Sequence, residues 1–185
     1  MASKVIVSSD DDEVLEIAAR YGASPLKRSP ELATDAAKTI DVVRDCIERE
    51  TSLGNSYDDI ILLQPTSPLR DCKDIIGLFD CYLAYNRNTV VSVCEVDHPI
   101  QWCGVIEESG ELAGIDFSSS VRSQQLRMSY RINGAIYMFP SDLPVQKNTL
   151  YTKSVFAYVM PRDRSFDIDT AIDFDVCSAI VGRLS

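Results

Sequence analysis

Two aspartates, Asp167 and Asp169, stand one residue apart in the run SFDIDT, immediately before a segment of helical periodicity. Alternate residues of an extended chain point to the same side, so both carboxylates can share one hard divalent cation. Magnesium suits so sparse a set, because it keeps several waters and bridges to phosphate oxygens. The same residues have a plainer use, in which Asp169 or Thr170 caps the helix and Asp167 is solvated. A second group closes the apolar run ILLQPTSPLRD, residues 61–71, where Gln64, Thr66, Ser67 and Arg70 crowd around two prolines. Either the prolines stop a buried strand and Asp71 caps the next helix, or the end of the strand builds a polar pocket rim. Lys27 and Arg28 put positive charge before a proline turn in an acidic chain, as a surface turn or as a phosphate hold. Asn133 and Gly134 open the strand-like GAIYMF run; they form a turn, or Asn133 orients a polar ligand while Gly134 permits close approach. Arg122, Arg127 and Arg131 make a sparse basic ladder whose default explanation is a solvated loop.

These groups need a frame, and the apolar periodicity supplies one. KVIVSS, residues 4–9, is a short β-branched run followed by Asp10, Asp11, Asp12 and Glu13, which favour the positive end of a helix dipole, and the helix stops at Gly22. DAAKTIDVVRDCIERE places Ile40, Val43 and Ile47 on one helical face, with Asp35 as the N-cap. DIILLQ reads as a strand. DCKDIIGLFDCYLAY is again helical, with Asp71 and Asp74 at capping-box spacing and Ile75, Phe79 and Tyr82 facing inward. TVVSVCEV, GAIYMF and SVFAYVM read as further strands. TAIDFDVCSAIVGRL is a last helix with Phe174, Cys177, Val181 and Leu184 on one face and Thr170 and Asp173 at capping-box spacing. Strands alternating with amphipathic helices predict an α/β fold, a Rossmann-like, mostly parallel sheet covered on both faces by right-handed crossovers. Ligands of such sheets sit beyond the carboxyl ends of the strands, where SSDDD and QPTSPLR fall. Between residues 97 and 131 the periodicity fades into a polar tract with Trp102, read as a lid or an oligomer contact.

With 185 residues, 45% of them hydrophobic, the chain has the material for one domain, 1–185, with a sizeable core. A formal charge of -10 argues against nucleic acid or an anionic membrane surface as partner. Six cysteines without a C-x-x-C pair read as free, mostly buried thiols. His98, the single histidine, leaves little for a zinc site or a Ser/His nucleophile. No run reaches membrane-spanning length and no signal peptide opens the sequence, so a cytoplasmic protein is expected.

Taken in order, KVIVSSDDDEVLEIAARYGA, RSPELATD, LLQPTSPLR, NGAIYMF and DIDTAIDF resemble the successive signatures of the CMP-sialic acid synthetase family, the acylneuraminate cytidylyltransferases, over nearly the whole chain. LLQPTSPLR is the most specific of the five, and relatives acting on pseudaminic, legionaminic and ketodeoxyoctulosonic acids share much of the pattern. The resemblance implies a nucleotide-diphospho-sugar transferase type of fold and attack by the anomeric hydroxyl of a nonulosonic acid on the α-phosphate of CTP, releasing pyrophosphate. It implies Asp167 and Asp169 as magnesium ligands and Arg28 on the nucleotide side. Gln64, with Thr66, Ser67 and Arg70, would shape the sugar rim, and Asn133, Gln124 and Arg131 would also face substrate. Residues 96–131 would correspond to the family's dimerisation excursion, making a homodimer the expectation. Two features depart from the pattern. The glycine- and lysine-rich loop that cradles CTP phosphates in the family does not appear, as though the sequence began at the family's second strand. In VRSQQL, Ser123 stands where the family has an arginine directly before the glutamine, and Arg122 lies one residue earlier. A weakly active or inactive relative, binding a sugar acid or pairing with an intact subunit, is the alternative.

Overall fold

The computed structural model describes residues 2–115, 117 and 128–184. The chain forms two compact units, one made by residues up to Ile60 with Phe139–Ser154, the other by Ile61–Met138 with Val155 onward.

In the first unit β1 (Ile6–Ser9), α1 (Asp12–Arg20) and β2 (Ser24–Lys27) form a parallel β-α-β ribbon, with Ile6 opposite Ser24 and Ser9 opposite Lys27. The acidic run does the capping that its position suggests: Asp11 is the N-cap, and its carboxylate accepts from the Glu13 and Val14 amides at 2.8 and 3.2 Å. Helix α2 (Thr39–Ser52) starts later than Asp35 would have it. The Ala37 amide donates to the Thr34 carbonyl at 2.9 Å, so Asp35 lies within a turn, and Lys38 is the cap residue with no side-chain cap bond. Near the end of α2, Glu50 is 5% exposed. A buried carboxylate needs partners, and this one has three: Lys4 Nζ at 2.7 Å, the Tyr57 hydroxyl at 2.8 Å and Asn55 Nδ2 at 2.9 Å.

The second unit holds most of β3 (Asp59–Leu63) and β7 (Tyr130–Pro140), with α3 (Cys72–Ala84), β4 (Val90–Glu95), β8 (Phe156–Val159) and α4 (Ala171–Leu184). Strand order in the four-stranded sheet is β3-β7-β4-β8. The sheet is mixed, not mostly parallel. β4 pairs with β8 in parallel but with β7 antiparallel, and Gln64 opposite Ala135 and Asp58 opposite Ser141 set β3 against β7 as well. β3 and β4 therefore run the same way, joined through α3 as a βαβ unit should be, with β7 wedged between them. β7 begins at the end of the sheet where β4 stops, with Tyr130 opposite Glu95, and between the two strands β5 (Val105–Ile106) and β6 (Leu112–Ala113) form a small antiparallel ribbon.

The core comprises Leu78, Tyr82, Val90, Ala135, Ile136, Met138 and Met160, with Ile75, Phe79 and Tyr158 packed on it. Gly77 on α3 is required by this packing, since a Cβ there would lie 2.6 Å from the Tyr158 ring. α4 departs from the expected single inward face. Cys177 is buried, whereas Phe174, Val181 and Ile172 are 60, 51 and 73% exposed, because the apolar residues of this helix are spread around its axis.

Candidate functional site

The centre of the second unit's polar residues is an irregularity in β7. Val91 lies opposite Tyr137 and Val93 opposite Ile132, so the register slips around Ser92 and residues 133–136 bulge. The Ser92 hydroxyl fills the bulge: it lies 2.6 Å from Asn133 Oδ1 and accepts from the Ile136 amide at 2.8 Å. Asn133, 2% exposed, uses its other end to donate to Ser165 Oγ at 2.9 Å, and its Oδ1 also accepts from the Ala135 amide at 3.2 Å. Asn133, expected to face substrate, has its amide turned inward in the structure. Both ends of its amide are satisfied inside the protein, and it locks a bulge. Gly134 takes φ +77°, a left-handed conformation that glycine adopts without cost from a side chain, and a Cβ there would sit 3.6 Å from Asp167 Oδ2. The bulge thus brings the backbone of β7 against the carboxylate.

Asp167 and Asp169 reach this place on a segment tied down on both sides. The Ser165 hydroxyl, bonded by Asn133, donates to the Pro161 carbonyl at 2.7 Å, and Arg131 Nη2 donates to the Ser165 carbonyl at 3.3 Å. The Ile168 amide donates to the Thr66 carbonyl at 2.8 Å, which places the aspartate couple directly against the QPTSP corner. The helix cap is made by Thr170, one of the two residues that the plainer use named, together with Asp173, and not by Asp169. The carboxylate of Asp173 accepts from the Thr170 amide at 2.8 Å, and Thr170 Oγ1 accepts from the Asp173 amide at 3.4 Å. Asp167 Oδ1 is buried without a hydrogen-bond partner, as is the hydroxyl of Ser67, a residue 0% exposed. Buried polar atoms are normally paired, and an orphaned carboxylate oxygen two residues before the exposed Asp169 is a donor set whose chemistry fits a hard divalent cation. Among the described residues no cluster of three or more His, Cys, Asp or Glu side chains is arranged for a metal, so the couple would need ligand or water oxygens to complete a coordination shell.

The corner itself is held by Arg70. Its Nη1 donates to the carbonyls of Gln64 and Ser67 at 2.5 and 2.6 Å, and burial lowers the pKa of the guanidinium. The expectation that Arg70 grips a ligand is met differently in the structure, where this nitrogen grips the turn. Asp71 and Asp74 form the expected capping box on α3, with Asp71 Oδ1 accepting from the Lys73 and Asp74 amides and Asp74 Oδ2 from the Asp71 amide at 3.0 Å. Asp74 is 0% exposed and also receives a fork from Arg164, Nε at 2.9 Å and Nη2 at 2.8 Å. Burial pushes the Asp74 carboxyl up, but the Arg164 and Asp71 hydrogen bonds outweigh it and leave its pKa below the usual value, while the same pairing raises that of Arg164. Sequence reasoning missed Ser92, Ser165 and Arg164. Ser92, a hydroxyl inside the apolar run VVSVCEV, was the one with a visible signal.

Arg28 belongs to the first unit. Its Nε and Nη2 donate to the hydroxyl and carbonyl of Ser8 at 3.2 and 2.6 Å, while Lys27 Nζ bonds the Asp10 carbonyl at 2.7 Å and Asp12 Oδ1 at 2.5 Å. Arg28, Lys27 and Arg49 line an open depression of about 720 Å3 with Asp10, Ser29 and Pro30. Gln124 and the basic ladder positions Arg122 and Arg127, with Ser123, lie outside the described residues.

The Ile168–Thr66 bond sets the segment of Asp167 and Asp169 beside the polar corner of an α/β sheet, and similarity to known proteins gives this fold as that of the nucleotidyltransferases. The solved CMP:2-keto-3-deoxy-manno-octonic acid synthetase complexed with CTP is similar in fold, with a TM-score of 0.68 at 12% identity over 100% of this chain and 83% of that one. The cytidylyltransferase family matches residues 1–160, and the chain belongs to it. It is 32% identical over 181 residues to the N-acylneuraminate cytidylyltransferase of Escherichia coli O18:K1:H7, covering 97% of this chain and 42% of that protein. It is 30% identical over 175 residues to the pseudaminic acid cytidylyltransferase of Campylobacter jejuni, covering 93% of this chain and 75% of that one. The chain thus spans about two fifths of the length of the first of these relatives. No helix among the described residues is long and apolar enough to cross a membrane.

Proposed function

We propose that this chain carries the acceptor and metal side of a CTP-dependent cytidylyltransferase that converts CTP and a nonulosonic acid to a CMP-sugar and pyrophosphate. The observation behind this reading is the buried, unpartnered Asp167 Oδ1 on a segment bonded through Ile168 to Thr66 of the QPTSP corner. Asp167 and Asp169 would hold Mg2+, which when bound offsets the charge on the phosphate oxygens of CTP. Gln64 would contact the sugar acid, with Thr66 and the buried Ser67 shaping the rim. Arg70 keeps their backbone in place by bonding its carbonyls. The family resemblance assigns Arg28 to the nucleotide side, and within the first unit it lines a basic depression with Lys27. Transfer of this kind demands alignment and charge neutralisation more than a covalent nucleophile, which agrees with carboxylates and amides as the polar groups at hand. The related pseudaminic acid enzyme, as its name states, acts on a different sugar acid, so the acceptor is proposed as a class. A homodimer through residues 96–131 completes the reading, supported by the exposed Val105, Ile106 and Phe117, 67, 75 and 76% accessible.

The test is pyrophosphate release from CTP, Mg2+ and N-acetylneuraminic or pseudaminic acid, against an Asp169→Ala control. Release with either acid that the control loses supports the reading. Traces equal to the control refute turnover by this chain and leave sugar-acid binding as the function to measure. Light scattering of wild type and Ile106→Asp tests the dimer, which the substitution should reduce to monomer.

A further inference from the structure

The Asp167 carboxylate has an oxygen with no bond of its own to fix it, so its direction must come from the backbone around it. Besides the Arg131 bond to the Ser165 carbonyl, that backbone has three anchors. Ser165 is bonded by Asn133, and the Ile168 amide is bonded to Thr66. The third, Arg164, lies three residues before Asp167 and closes a two-pronged bond on Asp74 across 90 residues of sequence. Asp74 is completely enclosed and at the same time caps α3, the helix that leaves the QPTSPLR corner. The pair therefore connects the two segments whose spacing decides whether the carboxylates face the corner. A fork with both nitrogens engaged fixes rotation as well as distance, which a single lysine bond does not.

We propose that Arg164, through Asp74, is a positioning residue that holds Asp167 in the orientation needed to bind a divalent cation. The inference rests on the proposed metal role of Asp167. Residues that orient a ligand without touching the metal typically alter affinity by about 10–100-fold, and a loss in that range is expected here.

Mn2+ binding to the full chain, read by electron paramagnetic resonance, tests it with wild type, Arg164→Gln, Arg164→Lys and Asp167→Ala, each also followed by thermal unfolding. Lys4→Met, which removes an ion pair to Glu50 in the first unit, serves as a control for lost stability. The expected pattern is loss of binding in Asp167→Ala, weakening by about tenfold or more in both Arg164 variants, and wild-type affinity in Lys4→Met despite a lower melting temperature. If Arg164→Gln does not fold, Arg164→Lys decides, because it keeps the buried carboxylate paired with a cation and loses only the fork. Folded Arg164→Lys with wild-type Mn2+ affinity would overturn the positioning role alone. Equal binding by wild type and Asp167→Ala would overturn the metal role of Asp167 and this inference with it.

Discussion

Replacing Asp167 with alanine should stabilise the chain in the absence of divalent cations and abolish its stabilisation by them. Asp167 Oδ1 is buried without a partner, and the Oδ2 side lies against the Gly134 backbone. Leaving a buried acceptor unsatisfied costs about 1–3 kcal/mol, more when it is charged. The residue is only half-buried, so removing it leaves little cavity, and a gain of about 1–2 kcal/mol is expected. For a chain of this length each kcal/mol moves the melting temperature by roughly 2–4 °C, so the variant should melt about 2–8 °C higher in EDTA. A cation at a hundred times its dissociation constant stabilises the form that binds it by about 2.7 kcal/mol. The two proteins should therefore exchange order: alanine variant above wild type in EDTA, wild type equal or above in saturating Mg2+ or Mn2+. Urea unfolding followed by circular dichroism in the two buffers reads this directly. An alanine variant that is less stable than wild type in EDTA, or a stability order that the cation leaves unchanged, would refute the view that Asp167 is strained for want of a metal.

Asn133→Ala should cost about 2–4 kcal/mol in urea unfolding, since it orphans the Ala135 amide and unlocks the bulge; a loss below about 1 kcal/mol would mean that the network is not what holds β7. Gly77→Ala should destabilise by about 1–3 kcal/mol through overpacking against the Tyr158 ring, and Tyr158→Leu should relieve most of that cost in the double variant. Additive losses in the two single variants would refute the contact. Asp74 has its carboxyl pKa lowered from 3.8 in the fold, so its contribution is present above the unfolded value and is lost as pH falls from about 4 through the lower folded value. Asp74→Asn should accordingly flatten the fall of stability with acid in that window, measured as urea midpoints at successive pH values.

The elements of the fold were legible because each is a local pattern. Asp11 and the Asp71–Asp74 box sit where capping chemistry puts them, and the apolar runs of β3, β4, β7 and β8 mark buried strands. What the pattern does not encode is pairing. β7 reads as another strand of a βαβ series, yet it enters between β3 and β4 in the opposite direction. Its orientation follows from its entry at the end where β4 stops, and periodicity within a strand says nothing about that. Asp35 illustrates the same limit on a smaller scale: its side chain is as good a cap as Asp11's, and only the turn at Thr34–Ala37 denies it the position.

At the candidate site the division has the same physical origin. QPTSP and DID could be expected to meet, because in an α/β sheet both lie where strands end, and the Ile168–Thr66 bond joins them. Asn133 and Gly134 read as a turn with a polar group at its tip, and Gly134 does take the left-handed conformation that such a turn needs. A bulge makes the same local demand as a turn, however, and differs only in what lies across the sheet. Here that is Ser92, whose hydroxyl meets Asn133 Oδ1 and so turns the amide inward. Asp74 and Arg164 were further beyond reach, since each already has a sufficient local explanation, one as a helix cap and the other as an arginine near the surface. Their pairing across 90 residues is a property of the folded chain alone. The segment carrying Asp167 is thus oriented by contacts that no stretch of sequence around it contains.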